Sequence, residues 1–172
     1  MNAITDQTIR SATISCLVEN EAGVLARVIG LFSGRGYNID SLTVAPVDDG
    51  RGRSRINIVT SGTAMVIEQI KAQLDRLVPV YRVGDLTMSG AHLARELALV
   101  KVIADGQMLI DALLEAGRHG ARVVDATTGS FIFELSESTE VIDAFIGALR
   151  SLGLAEISRT GVAAMACGTS TI

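Results

Sequence analysis

Apolar positions change period several times along this chain, and each change marks an element. Residues 12–18 alternate, with Ile14, Cys16 and Val18 on one face, the pattern of a half-buried strand. The turn Asn20-Glu21-Ala22-Gly23 follows. Val24, Leu25, Val28, Ile29 and Phe32 then recur at helical spacing, which predicts a helix with all five on its buried stripe. Gly34 and Gly36 should end it, because glycine enters a left-handed C-cap with least strain. Residues 37–45 read as a second strand and 46–53 as a hairpin loop. Ile56, Ile58 and Val59 fall in a third strand. Thr63 can cap a second helix whose stripe holds Ile67, Ile70, Leu74 and Leu77. A strand over 78–83, with Val78 and Val80 facing the same way, closes the unit.

From 84 to 94 the periodicity is lost, and Gly, Asp, Ser and Thr take over; a linker over 85–94 is expected. The same order then returns. Leu97, Leu99 and Ile103 mark a strand. A helix over 108–116 carries Leu109, Leu113 and Ala116 on one side and is punctuated by Gly117 and Gly120. Residues 122–127 and 130–135 read as a hairpin. Ser138 can cap a helix with Val141, Phe145, Leu149 and Leu152 aligned, and a last strand covers about 155–164. A shift of 84 residues lays Leu25 on Leu109, Ile29 on Leu113 and Gly36 on Gly120. Right-handed crossovers then predict an α+β fold of two ferredoxin-like βαββαβ units, 1–84 and 95–172. The sheet face away from the helices also needs cover, which favours sheet-to-sheet association or a dimer.

Composition narrows the function. Hydrophobic residues make up 48% of the 172 and aromatics only 3%, so the core is aliphatic and a site of stacked rings is not expected. With net charge −4, and Arg51, Arg53 and Arg55 as the densest basic stretch, nucleic acid is not expected as a partner. Cys16 and Cys167 form no CxxC pair, which suits reduced thiols in a cytoplasm. The stretch from Met1 to Arg10 has neither an apolar signal core nor an Arg-rich leader, and no uncharged apolar run approaches the ~18 residues of a membrane span. His92 and His119 lie in no recognisable catalytic motif, and HExxH, GxSxG and P-loop patterns are all missing, so independent catalysis is not expected.

The informative chemistry sits at 19–25, where a strand end meets a helix start. Free N–H groups and the helix dipole there favour a carboxylate. Gly23 permits positive φ and close backbone approach. Asn20 offers a donor and an acceptor. Asn38, after the helix, could accept from an ammonium or donate to a carboxylate. Each also has a plainer reading: Asn20 as a cap or turn residue, Gly23 as a tight turn, Asn38 as a strand start, Glu19 and Glu21 as solvated carboxylates. The internal repeat favours the functional one. Under the shift of 84, Asn20 falls on Ala104, Gly23 on Gln107 and Asn38 on Arg122, so the second copy keeps the apolar skeleton and loses the polar groups.

The run from Leu17 to Val44, with Asn20-Glu21-Ala22-Gly23-Val24-Leu25 at its turn and Gly36-Tyr37-Asn38-Ile39 after its helix, resembles the opening of acetolactate synthase small subunits, a family of ACT-domain regulators. The likeness continues through Ser54-Arg55-Ile56-Asn57-Ile58, 73–78, 95–101 and Glu156-Ile157-Ser158-Arg159-Thr160-Gly161. It is poor over 104–120. After Gly161 the chain departs from the family's pattern and reads Val162-Ala163-Ala164-Met165-Ala166-Cys167-Gly168.

The resemblance implies an N-terminal ACT domain, a C-terminal ACT-like domain and a homodimer that joins two ACT sheets side by side. It implies that valine or another branched-chain amino acid binds against Asn20, Gly23, Val24 and Leu25, with Asn38 and Ile39 coming from the neighbouring protomer. It also implies a separate large catalytic subunit carrying thiamine diphosphate, magnesium and FAD, with no cofactor in this chain. Arg159 and Thr160 are read as either partner contacts or a strand-end ion pair. A stand-alone amino-acid sensor, or a regulator of a different biosynthetic enzyme, is the alternative reading of the same signature.

Overall fold

The computed structural model describes residues 8–47 and 50–172. Met1 to Gln7 of the N-terminal stretch, and Asp48 and Asp49 of the expected hairpin loop, lie outside the described residues. The chain divides into two units. One comprises the residues up to Leu93 together with 162–172, and the other spans 94–161.

In the first unit the order is β1 (Arg10–Glu19), α1 (Val24–Arg35), β2 (Ser41–Val47), β3 (Arg53–Gly62), α2 (Ala64–Leu74) and β4 (Val80–Asp85). These strands form an antiparallel sheet in the order β2-β3-β1-β4. Alternation in β1 sends Ala12, Ile14, Cys16 and Val18 into one core with Ile56 and Ile58 of β3. Val24, Val28 and Phe32 of α1 and Ile67, Ile70 and Leu74 of α2 close over it. Thr63 caps α2 by accepting from the Val66 amide, and Gly36 ends α1 in the left-handed region at φ 68. Within this core, burial pushes the Cys16 thiol up to about 12, so it packs as an apolar group, while Cys167 is exposed.

The opposite face of this sheet is covered by the chain itself. The Val162 amide donates to Ser41 Oγ (2.8 Å), Thr43 Oγ1 donates to the Val162 carbonyl (3.0 Å), and Arg55 donates to the Ile172 carbonyl (2.9 Å). Ser41, Thr43 and Arg55 pair in register with Val59, Asn57 and Ala45, the positions that alternate away from the helices. Val162 and Ala164 are buried, and Ser15 beneath this layer is fully buried.

The second unit repeats the plan with β5 (His92–Ile103), α3 (Gly106–His119), β6 (Arg122–Thr127), β7 (Ser130–Glu137), α4 (Thr139–Leu149) and β8 (Leu154–Arg159), its sheet ordered β6-β7-β5-β8. A short strand, β9 (Ala163–Ala166), lies in the segment 162–172 that belongs to the first unit. Ser138 caps α4 by accepting from the Val141 amide, and Gly120 ends α3 at φ 72. The repeat extends to a detail of the backbone. A register shift falls between Leu17 and Val18 in the first sheet and between Lys101 and Val102 in the second, positions 84 residues apart.

The structure departs from the sequence reading at definite places. Gly34 lies inside α1, and only Gly36 ends that helix. Ile29 and Leu113, partners under the shift of 84, are 40% and 38% exposed, because the buried stripes are the narrower Val24/Val28/Phe32 and Ala112/Ala116. Val78 is 95% exposed in the turn before β4 and does not share a face with Val80. The second strand starts at Ser41, since residues 37–40 carry the chain out of α1. Residues 85–94, read as a linker, hold the buried Asp85 and Leu86 and the first residues of β5. Gly161, at φ 82, breaks the strand expected over 155–164.

Glu96 is the buried acid of the second unit, and it is fully engaged. Arg159 meets it through two nitrogens (3.0 and 2.5 Å), the Gly161 amide donates to it (3.2 Å), and Arg159 also reaches Asp143 (2.6 Å). The Glu96 carboxylate in turn holds the Arg159 guanidinium above its usual value. Thr160 closes the same sheet, exchanging bonds with the backbone of Leu97. Arg159 and Thr160 therefore serve the unit that carries them. Glu96→Ala should cost about 2–3 kcal/mol in urea unfolding, at the low end for a broken buried pair because Arg159 keeps access to water.

Candidate effector site

β1 delivers the chain to the turn at Asn20. The Glu19 amide donates to the Pro79 carbonyl and the Asn20 amide to that of Gly52, both at 2.8 Å, which fixes where the strand ends. Asn20 to Gly23 are exposed. Gly23 is the N-cap of α1 at φ 89 and ψ −9, a conformation that suits glycine, and no side chain caps this helix start. The Val24 amide turns back to the Glu21 carbonyl at 3.5 Å, and the other first-turn amides, which have no intrahelical acceptor, present the positive end of the dipole. Val24 is buried and Leu25 packs partly against the core, leaving a small apolar edge beside those amides. Arg27, one turn on, reaches Glu21 at 3.5 Å.

Asn38 and Ile39 lie at the other end of α1. The Asn38 carbonyl accepts from Thr60 Oγ1 (2.6 Å), and its Nδ2 donates to Asp40 Oδ1 (2.5 Å). Asp40 is itself held by Ser61 Oγ (2.6 Å) and by a bond from its own amide to the Val59 carbonyl (2.8 Å). The side-chain amide is thus oriented with Oδ1 free, which favours an ammonium over a carboxylate as its partner. Ile39 packs partly against the core.

One chain does not bring these two groups together. Twelve residues of α1 at 1.5 Å each separate them by about 18 Å. The strand register agrees. Glu19 pairs with Arg53, and Ser41 pairs with Val59, six residues further along β3, or about 20 Å.

The second unit offers no equivalent. The Ala104 amide bonds the Gly129 carbonyl (3.0 Å) as Asn20 bonds Gly52, so the turn geometry is retained. Its helix, however, starts behind Asp105, whose carboxylate would repel an anion. Gln107 is committed to Asp111 (2.9 Å) and Arg122 to Glu134 (2.8 Å).

One cluster escaped the sequence reading. Arg27, Arg35 and Arg76 line a groove of about 650 Å³ between α1 and the end of α2. They are far apart along the chain, so no basic run announces them.

Comparison with known proteins places this geometry. Residues 14–82 match the family described as AHAS small subunit-like ACT domain, and residues 95–168 match that described as small subunit of acetolactate synthase. The chain is 43% identical over 156 residues to the acetolactate synthase isozyme 3 small subunit of Salmonella typhimurium, covering 90% of this chain and 94% of that protein. It is 40% identical to the probable acetolactate synthase small subunit of Archaeoglobus fulgidus, covering 91% and 96%. The crystal structure of the acetolactate synthase small subunit from Thermotoga maritima superposes with a TM-score of 0.81 at 34% identity, over 91% of this chain and 96% of that one. On these grounds the chain belongs to the acetolactate synthase small-subunit family, as a regulatory subunit whose first unit is an ACT domain.

Proposed function

We propose that this subunit binds valine, or another branched-chain amino acid, across the boundary of a homodimer, and so sets the activity of a separate large catalytic subunit of acetolactate synthase. The observation that carries the reading is the uncapped start of α1 at Gly23, with its complement about 18 Å away in the same chain. β2 is an edge strand. If two β2 edges pair antiparallel about a two-fold axis, the beginning of one β2 lies beside the end of the other. Asn38 and Ile39 precede the beginning of β2. The turn at Asn20 lies at the end where β2 finishes, since Val47 and Glu19 both pair with Arg53. Such a dimer places each Asn38 beside its mate's Gly23.

The chemistry then divides simply. Amides of the first turn of α1 hold the effector's carboxylate. Asn38 Oδ1 of the mate and Asn20 orient its ammonium. Val24, Leu25 and Ile39 bound the side chain, whose burial is worth about 1.5–3 kcal/mol. Discrimination among valine, leucine and isoleucine is modest, because one methylene changes affinity by roughly 1–3 kcal/mol. Occupancy is linked to the arrangement of the dimer, and the catalytic subunit reads that arrangement. Thiamine diphosphate, magnesium and FAD belong to the catalytic subunit in this reading.

Gly23→Asp should abolish valine inhibition of the reconstituted enzyme while leaving activation by the subunit in place. Its carboxylate would occupy and oppose the anion site, so inhibition of normal strength would remove Gly23 from the site. Asn38→Ala should weaken valine binding in calorimetry by roughly 10- to 100-fold, the value of a hydrogen bond to a charged group. Unchanged affinity would show that Asn38 does not meet the effector.

A further inference from the structure

The groove between α1 and the end of α2 has a composition that the fold does not require. Among the groove-lining residues are three arginines and no acid, in a chain of net charge −4. Arg35 and Arg76 sit near helix C-termini, where the dipole welcomes a cation. Arg27 stands near the start of α1, where the dipole opposes it. On the groove side of α1, Gly30 and Gly34 are one turn apart. A Cβ added at either would meet nothing within 4 Å, and neither has positive φ. Glycine inside a helix weakens it relative to alanine, and no contact among the described residues accounts for these two. Gln73 lines the same groove, with its Nε2 donating to Tyr37 Oη at 3.4 Å.

These observations define an occupant. Arg35 and Arg76, with Arg27 beside them even though it also reaches Glu21 at 3.5 Å, call for carboxylates. The glycine pair lets another backbone lie close along α1 for about 12 Å, the rise from Arg27 to Arg35, or roughly two helical turns. A single small inorganic anion does not extend over that length, whereas a polypeptide segment with several carboxylates does. Leu31 and Leu77 add apolar floor between the charges. We infer that this groove docks an acidic, helical segment of the catalytic subunit, and that it is the surface through which the regulatory chain holds its enzyme. The inference rests on the proposed function, since it names the surface for that partner.

The test measures affinity of the full chain for the catalytic subunit, across a range of salt, for the wild type and two double variants. Arg35→Glu with Arg76→Glu should weaken the complex at least tenfold and flatten its salt dependence, with valine affinity in calorimetry unchanged. Gly30→Ala with Gly34→Ala should raise the melting temperature of the free subunit and yet weaken the complex, a combination that a purely structural role for the glycines cannot produce. A complex of wild-type strength with both variants would overturn the groove and leave the valine site standing. So would calorimetric binding of inorganic phosphate to the wild-type groove together with an intact complex in the charge-reversed variant. If the wild-type chain formed no complex with the catalytic subunit, the proposed function would fall and the groove with it.

Discussion

A twelve-residue helix laid along a four-stranded sheet holds its two ends about 18 Å apart, and the proposed function of the first unit turns on that distance. At one end Gly23 leaves the first amides of α1 without a cap, a feature suited to a carboxylate. At the other, Asp40 and Thr60 hold Asn38 with one amide oxygen free. Neither end is a complete amino-acid site. A zwitterion of a few ångströms cannot span them, so within one chain the two groups do not form a single site. In the proposed dimer, antiparallel pairing of the β2 edges would complete both at once and would make a bound effector a report on the dimer.

The second unit shows the same backbone plan without those exposed polar groups. It keeps the strand order, the left-handed glycine after the first helix and the register shift at the equivalent residue. Its helix start follows an aspartate, and the counterparts of Gly23 and Asn38 are spent on internal pairs with Asp111 and Glu134. Its buried charge, Glu96, is neutralised by Arg159 inside the unit. The fold of this chain therefore does not require the polar groups found at the two ends of α1.

Much of the fold was legible because local rules and tertiary packing agree. Thr63 and Ser138 cap as their positions suggest, Gly36 and Gly120 terminate their helices, and period-two alternation marks β1. The readings that failed did so where tertiary geometry overrides local pattern. Ile29 and Leu113 fit a helical stripe, but each helix touches its sheet along a narrower line. Gly34 looked like a stop and is an interior residue, because the left-handed cap waits for Gly36. The last eleven residues read as the tail of the second unit and instead cover the outer sheet face of the first, a long-range choice that periodicity does not encode. At the candidate site, the turn geometry and the positive φ of Gly23 were legible from the residues themselves. The arginine groove was not, because folding alone gathers Arg27, Arg35 and Arg76.

Mixing two defective chains tests the shared site most directly. Subunits carrying Gly23→Asp and subunits carrying Asn38→Ala are each poor in valine sites, but a heterodimer of the two rebuilds one site from the intact turn of one chain and the intact Asn38 of the other. After co-refolding at equal amounts, calorimetry should recover wild-type affinity in roughly a quarter of the sites, the fraction set by random reassortment of a two-fold dimer. If the mixture binds valine no better than its two components, each site lies within a single chain, and the two ends of α1 do not meet across a dimer to hold one effector.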